Sequence, residues 1–293
     1  MVSRLAIVIR AMRVHQWVKN TLLFVPLILS HNLFDTGMFL ATLTAFFAFS
    51  LCASAVYIIN DIVDIEADRQ HPTKCQRPFA AGLLSINTGV TLALVLFASA
   101  ASIAYFISWP FVLTLFAYLL ITSVYSFYIK RVVLLDILLL AGLYTFRIIA
   151  GSIAAGVNVS FWLLVFSVFI FLSLALVKRY SELANIDAKY EELVKRRGYF
   201  KSDMPLLLNL GIVSGYLSVL VLGLYIHDTQ VMIHYSSPDW LWLVVAAVLF
   251  WVSRIWLVTF RGNMHEDPVM YAIHDRPSLV VMLVCISAII LAL

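Results

Sequence analysis

Apolar runs constrain this chain more tightly than any motif in it. A helix that crosses a bilayer needs roughly 20 mostly apolar residues, and about nine stretches approach that length: 17–33, 38–59, 86–107, 110–128, 133–153, 160–177, 205–226, 239–259 and 276–293. The hydrocarbon interior offers backbone N–H and C=O groups no partners, so such runs must satisfy them internally as helices. Only 12% of the 293 residues are charged, about half the share in a soluble domain. The expected fold is therefore an all-α integral membrane protein of about nine transmembrane helices. No polar or Pro/Gly/Ser-rich linker divides the chain, so residues 1–293 read as a single membrane domain. The weakest run is the first, which Lys19, Asn20 and Pro26 interrupt.

Charge placement orients these helices. With a cytoplasmic N-terminus, the loops near 31–37, 106–110, 154–159 and 227–238 face outward and contain no Lys or Arg. The basic segments, from Arg4 to Lys19 through Arg69, Lys74, Arg77, Lys130, Arg131, Lys178, Arg179 and the cluster at 195–197 to Arg261 and Arg276, all face inward. That asymmetry is the positive-inside pattern. The N-terminal stretch MVSRLAIVIRAMRVHQWVKN has no small-residue cleavage site leading into a polar chain, so it reads as a retained segment rather than a signal peptide. Cys52, Cys75 and Cys285 are isolated, with neither metal-ligand nor disulfide spacing.

Charge is concentrated where the second run ends. The stretch NDIVDIEADRQHPTKCQRPFAAG, 60–82, carries Asn60, Asp61, Asp64, Glu66 and Asp68, followed by Lys74 and Arg77. If the helix continues past Ile59, Asn60, Asp64 and Asp68 recur at i, i+4 and i+8, with Asp61 about 60° round from Asp64 on the same side. Clustered carboxylates repel unless protons or a cation neutralise them, and Mg2+ takes such hard oxygens together with substrate phosphates. Asn60, Asp61, Asp64 and Asp68 are therefore the expected metal-binding residues, with Asp61 and Asp64 catalytic. A solvated helix end paired with Arg69 and Lys74 is the plainer alternative. Pro72, Pro78 and Gly82 stiffen the loop that presents Lys74 and Arg77 to phosphate oxygens or to anionic lipid.

These residues resemble a known family. NDIVDIEADR followed by HPTKCQRPFAAG looks like the first aspartate-rich motif, NDxxDxxxD, and its loop in the UbiA superfamily of intramembrane prenyltransferases. The resemblance extends over essentially the whole chain and implies a nine-helix UbiA-like bundle with cytoplasmic polar loops. HQWVKN at 15–20, YSFYIKR at 125–131, KRYSEL at 178–183 and DPVMYAIHDRPS at 267–278 are similar to the branch containing decaprenyl-phosphate phosphoribosyltransferases. That resemblance implies transfer of 5-phosphoribose from phosphoribosyl pyrophosphate to a polyprenyl phosphate, with Mg2+ as cofactor. The second cytoplasmic segment departs from the superfamily, because it offers Glu182 and then Asp187 and Glu191 among many bases rather than a DxxxD-like motif. A basic wall suits a donor with an additional phosphate.

Further candidate substrate-binding residues are Lys19 and Asn20 at the first run, Lys130 at the end of the fourth, and Lys178, Arg179 and Glu182. Within the fifth run, Asp136 and Arg147 are eleven residues apart on nearly one face, roughly 16 Å along a regular helix. Ionisable groups in a membrane segment are functional candidates by default, and Arg147 is expected to contact substrate, with pairing to another helix as the alternative. His15, His71, His265 and His274 lack zinc-ligand spacing. The expected partners are phosphoribosyl pyrophosphate, polyprenyl phosphate and the lipid bilayer of the cell membrane; nothing points to nucleic acid, and a homo-oligomer stays open. Two competing functions remain: an aromatic prenyltransferase using a polyprenyl diphosphate, and a secondary transporter or lipid flippase with Asp136 and Arg147 as intramembrane charges. No internal repeat supports the transporter.

Overall fold

A computed structural model of the chain describes residues 3–70, 73–185, 198–228, 235–264 and 267–293. Every regular element among them is helical. A short α1, Arg4–Ala11, leads into a 3-10 helix at Val14–Phe24 and α2 at Val25–Leu29. The long helices follow: α3 (Thr36–Val63) with the short α4 (Ile65–Arg69), α5 (Ile86–Ile107), α6 (Trp109–Phe127), α7 (Leu135–Ala155) and α8 (Phe161–Ala184). The chain then forms α9 (Met204–Ile226), α10 (Leu241–Phe260), α11 (Pro268–His274) and α12 (Arg276–Ala292).

Seven helices among the described residues are long and apolar enough to cross a membrane, α3 and α5 to α10, and an eighth is reached if α11 and α12 form one span bent by 84°. Among the described residues this reaches seven or eight of the expected nine, and the difference lies in the first run. Residues 17–33 do not make one continuous helix: the 3-10 segment buries Lys19, Asn20 and Leu23, and Pro26 sits in the first turn of α2. Proline is well tolerated at a helix start but cannot donate within a continuing ladder, so it favours a fresh start there.

The chain divides into two compact units, Met1–Phe127 with Phe146–Val159, and Tyr128–Thr145 with Ser160–Leu293. The division falls inside α7. In the first unit α3 packs against α5, α6 and the 3-10 helix. Its buried side is rich in small residues, Ala45, Ala48, Ser50, Ala53, Ser54 and Ala55, which let apolar helices approach where no solvent-driven hydrophobic force operates. The closest approach is at Gly151, where a Cβ would lie 2.0 Å from the Leu23 carbonyl oxygen.

The second unit is built on α8 against α9, with α10 packed on both and on α12. Ser173 of α8 joins the first three: its hydroxyl donates to the Gly211 carbonyl at 2.7 Å and accepts from Trp256 Nε1 at 2.9 Å. The bend between α11 and α12 is an acid-capped corner. Asp275 accepts from the Ser278 backbone N–H at 3.0 Å and takes both Arg254 guanidinium nitrogens, at 2.6 and 2.8 Å. This gives Asp275, in the DPVMYAIHDRPS segment, a structural task.

Candidate functional site

The acidic stretch sits at the end of α3. Asp64 closes that helix, and α4 begins at the next residue. Helical spacing nevertheless crosses the break, because the Asp64 N–H donates to Asn60 O at 2.9 Å and the Asp68 N–H to Asp64 O at 2.8 Å. Seven residues are close to two helical turns, so Asp61 and Asp68 share a face. Both are buried, at 3% and 4% exposure. A single guanidinium joins them: Arg77 Nη1 donates to Asp61 Oδ1 at 3.1 Å and to Asp68 Oδ2 at 2.7 Å.

The Arg77 loop is held by its neighbours. Phe79 is buried in the core cluster containing Ala55, Ile58 and Ala93, and a Cβ on Gly89 would come within 2.5 Å of its ring. The Leu83 N–H donates to the Pro78 carbonyl at 2.8 Å, and Gly82 adopts φ +70°, a conformation open to glycine without a Cβ penalty.

A second cation reaches Asp61. Arg13 Nη2 donates to the same Oδ1 at 2.5 Å, and the guanidinium lies over the Tyr57 ring, 5.2 Å from its centroid. The Arg13 backbone is left-handed, φ +51°. The preceding residue is pinned, since the Ser54 hydroxyl donates to Met12 O at 2.8 Å and accepts from Trp17 Nε1 at 2.9 Å. In the sequence Arg13 reads only as a topological charge. The signal available was its place two residues before the HQWVKN segment, but its target lies 48 residues away. Nearby, burial, and then the charges of Arg13 and Lys19, hold the His15 imidazole below its usual range, because desolvation and positive neighbours both disfavour its protonated form.

The other expected site residues of this unit divide. Asn60 turns to α6, donating from Nδ2 to Ser126 Oγ at 3.0 Å, while Asp64 and Lys74 are half-buried. Lys19 is buried in the 3-10 helix. Asn20 is interior: Nδ2 donates to Ser50 Oγ at 2.9 Å, and Oδ1 accepts from Arg147 Nε at 2.9 Å. Arg147 also donates to the Tyr118 hydroxyl at 3.1 Å and lies over the Phe49 and Tyr118 rings. The structure thus brings Asn20 and Arg147 together as a helix-to-helix connection.

In the second unit a different cluster gathers around Asp136. Arg179 donates to Asp136 and to Glu182, and its guanidinium lies 5.2 Å from the Tyr199 ring centroid. The Tyr199 hydroxyl donates to Asp136 Oδ1 at 2.6 Å and accepts from the Leu134 N–H at 2.7 Å. Burial, and then the bond to Asp136, push the Tyr199 phenol up, so it stays a proton donor. Asp136, Arg179 and Tyr199 are at most 1% exposed, whereas Glu182 is more open at 34%. Lys178 lies 3.5 Å from Asp267, and Lys130 is half-buried in a 3-10 turn, Ile129–Arg131. Tyr199 was missed because a loop tyrosine carries no sequence mark of a partner 63 residues away. Asp187, Lys189, Glu191, the 195–197 cluster, His71 and His265 lie outside the described residues.

Among the described residues no three His, Cys, Asp or Glu side chains are grouped to hold a metal ion by themselves. The first unit's donors are hard carboxylate and amide oxygens, and cations already balance Asp61 and Asp68. Such a set fits Mg2+, which typically takes one or two carboxylates and completes its shell with water and phosphate. It does not fit a closed protein cage.

The fold is that of intramembrane prenyltransferases. A UbiA homologue from Archaeoglobus fulgidus, solved bound to GPP and Mg2+, superposes with a TM-score of 0.71 at 14% identity, covering 97% of this chain and 99% of that one. The family model for UbiA prenyltransferases matches residues 21–275, and the chain belongs to that family: it is a membrane-embedded transferase. The protein y4nM of Sinorhizobium fredii is 39% identical over 283 residues, covering 96% of this chain but 55% of that protein, so the chain spans about half that relative's length. The decaprenyl-phosphate phosphoribosyltransferase of Mycobacterium tuberculosis is 32% identical over 274 residues, covering 92% of this chain and 88% of that enzyme.

Proposed function

We propose that this chain, as one membrane domain, transfers 5-phosphoribose from phosphoribosyl pyrophosphate to a polyprenyl phosphate at the cytoplasmic face of the cell membrane, releasing pyrophosphate. The observation that carries the reading is the Asp61–Arg77–Asp68 bridge, which with Arg13 on Asp61 makes a balanced set of acids and bases at the end of a membrane helix. The choice of donor is supported by the likeness to the mycobacterial phosphoribosyltransferase and by the excess of bases in the sequence segment 178–199. The cytoplasmic placement rests on the distribution of Lys and Arg.

Asp61, Asp64 and Asp68, with Asn60, would hold Mg2+, which when bound acts as a Lewis acid toward the departing pyrophosphate. Lys74 and Arg77 bind phosphate oxygens and stabilise charge developing on the leaving group. The ribose C1–O bond to pyrophosphate breaks with its electron pair leaving on pyrophosphate, and an oxygen of the lipid phosphate forms the new bond to C1. That nucleophile is already an anion. No strong general base is needed, which suits a site built of carboxylates and guanidinium groups.

The reading is tested on the full chain in lipid nanodiscs, given a polyprenyl phosphate, labelled phosphoribosyl pyrophosphate and Mg2+. A phosphoribosyl lipid and free pyrophosphate are expected, and no product at any Mg2+ concentration overturns the reading. The GPP-bound Archaeoglobus neighbour favours prenyl transfer as a second reading. Turnover of a polyprenyl diphosphate with an aromatic acceptor, and none with the phosphoribosyl donor, would establish it.

A further inference from the structure

Asp61 Oδ1 is shared by two cations that are not equivalent. Arg77 has a second carboxylate, Asp68, at 2.7 Å, which anchors it beside Asp61, 3.1 Å away. The only carboxylate paired with Arg13 among the described residues is Asp61, at 2.5 Å. The two partners also differ in freedom: Asp61 is 3% exposed and Arg13 22%. An exchange at this oxygen therefore moves the arginine while the aspartate stays in place. The Ser54 bond to Met12 O fixes the backbone about which the Arg13 side chain turns.

We infer that Arg13 is an exchangeable counter-ion: it neutralises Asp61 before the divalent cation binds, and yields Asp61 Oδ1 when the cation arrives. The inference deepens the metal part of the proposed function and rests on it. Asp61, Asp64 and Asp68 balance Arg13, Lys74 and Arg77 in charge, so entry of a divalent cation leaves an excess of two positive charges. Displaced from Asp61, Arg13 becomes an unpaired cation facing the same place, and an anion that enters with the metal offsets it. Arg13 thereby makes metal and pyrophosphate bind cooperatively, with neither favoured strongly alone. Such coupling is reciprocal: each ligand raises the other's affinity by one factor. Its physical purpose is to keep a bare cation from occupying the site without donor.

The left-handed backbone at Arg13 dictates the variants. Glycine and asparagine both adopt φ near +50° readily, so Arg13→Gly and Arg13→Asn remove the charge without adding backbone strain, and Arg13→Lys retains a cation. Binding of Mn2+ to the full chain in nanodiscs is read by EPR of the free ion, with and without inorganic pyrophosphate. Loss of one competing charge from a partly buried carboxylate is expected to tighten Mn2+ binding about tenfold in Arg13→Gly and Arg13→Asn without pyrophosphate. Added pyrophosphate should tighten Mn2+ binding strongly in the native chain and only weakly in those two variants, with Arg13→Lys near the native chain. Equal or weaker Mn2+ affinity in both neutral variants, or undiminished coupling to pyrophosphate, overturns the inference while leaving the metal site standing. Failure of the native chain and every variant to bind Mn2+ overturns the metal reading, and this inference with it.

Discussion

Asp61 and Asp136 are both buried aspartates held by arginine, yet they sit in different chemical situations. The cations on Asp61 are 22% and 28% exposed, whereas Arg179 on Asp136 is 1% exposed and shares that acid with the Tyr199 hydroxyl. Partners that reach water can leave at modest cost, since solvent takes up the released charge. A partner sealed inside cannot, because an uncompensated buried ion costs several kcal/mol. The first arrangement suits an exchange of ligands, and the second holds segments of chain together. Arg179, expected from sequence to contact substrate, is placed by its burial in the second class, while the more open Glu182 beside it stays accessible.

Variants at Asp61, at the Asp136–Arg179 pair and at Lys74 test this contrast. The largest effect is expected from Asp61→Asn, which should lower turnover roughly a thousandfold, about 4 kcal/mol of barrier, with the melting temperature in detergent close to native. A large loss of stability instead would make the Asp61 cluster structural and erase the distinction. Next, Asp136→Ala should cost ~3–5 kcal/mol of stability by removing the buried carboxylate that Arg179 and Tyr199 share, leaving Arg179 with the more open Glu182, whereas the apolar pair Asp136→Leu with Arg179→Met should recover most of it. Thermal unfolding measures both, and an unperturbed single variant would refute the lock. Smallest is Lys74→Ala, expected to raise the donor KM about tenfold, near 1.4 kcal/mol, with kcat little changed; steady-state kinetics would show otherwise if Lys74 only anchors lipid.

Much of the architecture was legible because apolar run length is a local property. The run at 86–107 coincides with α5, and the runs from 205 and 239 begin within two residues of α9 and α10. The first run misled, because Asn20 has partners inside the first unit and Pro26 starts a new helix. Helical spacing placed Asp61 and Asp68 on one side of the chain, but the Arg77 bridge between them and the bond from Asn60 Nδ2 to Ser126 were not readable from it. Asp136 and Arg147 were read together from their shared helix. Each has its own partners, Arg179 and Tyr199 for one, Asn20 and Tyr118 for the other, because a shared face says nothing about which helix packs against it.

Residue order alone supplies the material: membrane-spanning helices from uninterrupted apolar length, and an acidic helix end followed by a basic loop. Both follow from spacing within a few turns of chain. Which polar groups meet is set by packing, since Arg13 finds Asp61 across 48 residues and Arg147 finds Asn20 across 127. It also decided which of those meetings can be undone. Whether an ion pair is exchangeable or locked depends on how much water reaches it, and that is set by every helix packed around the pair.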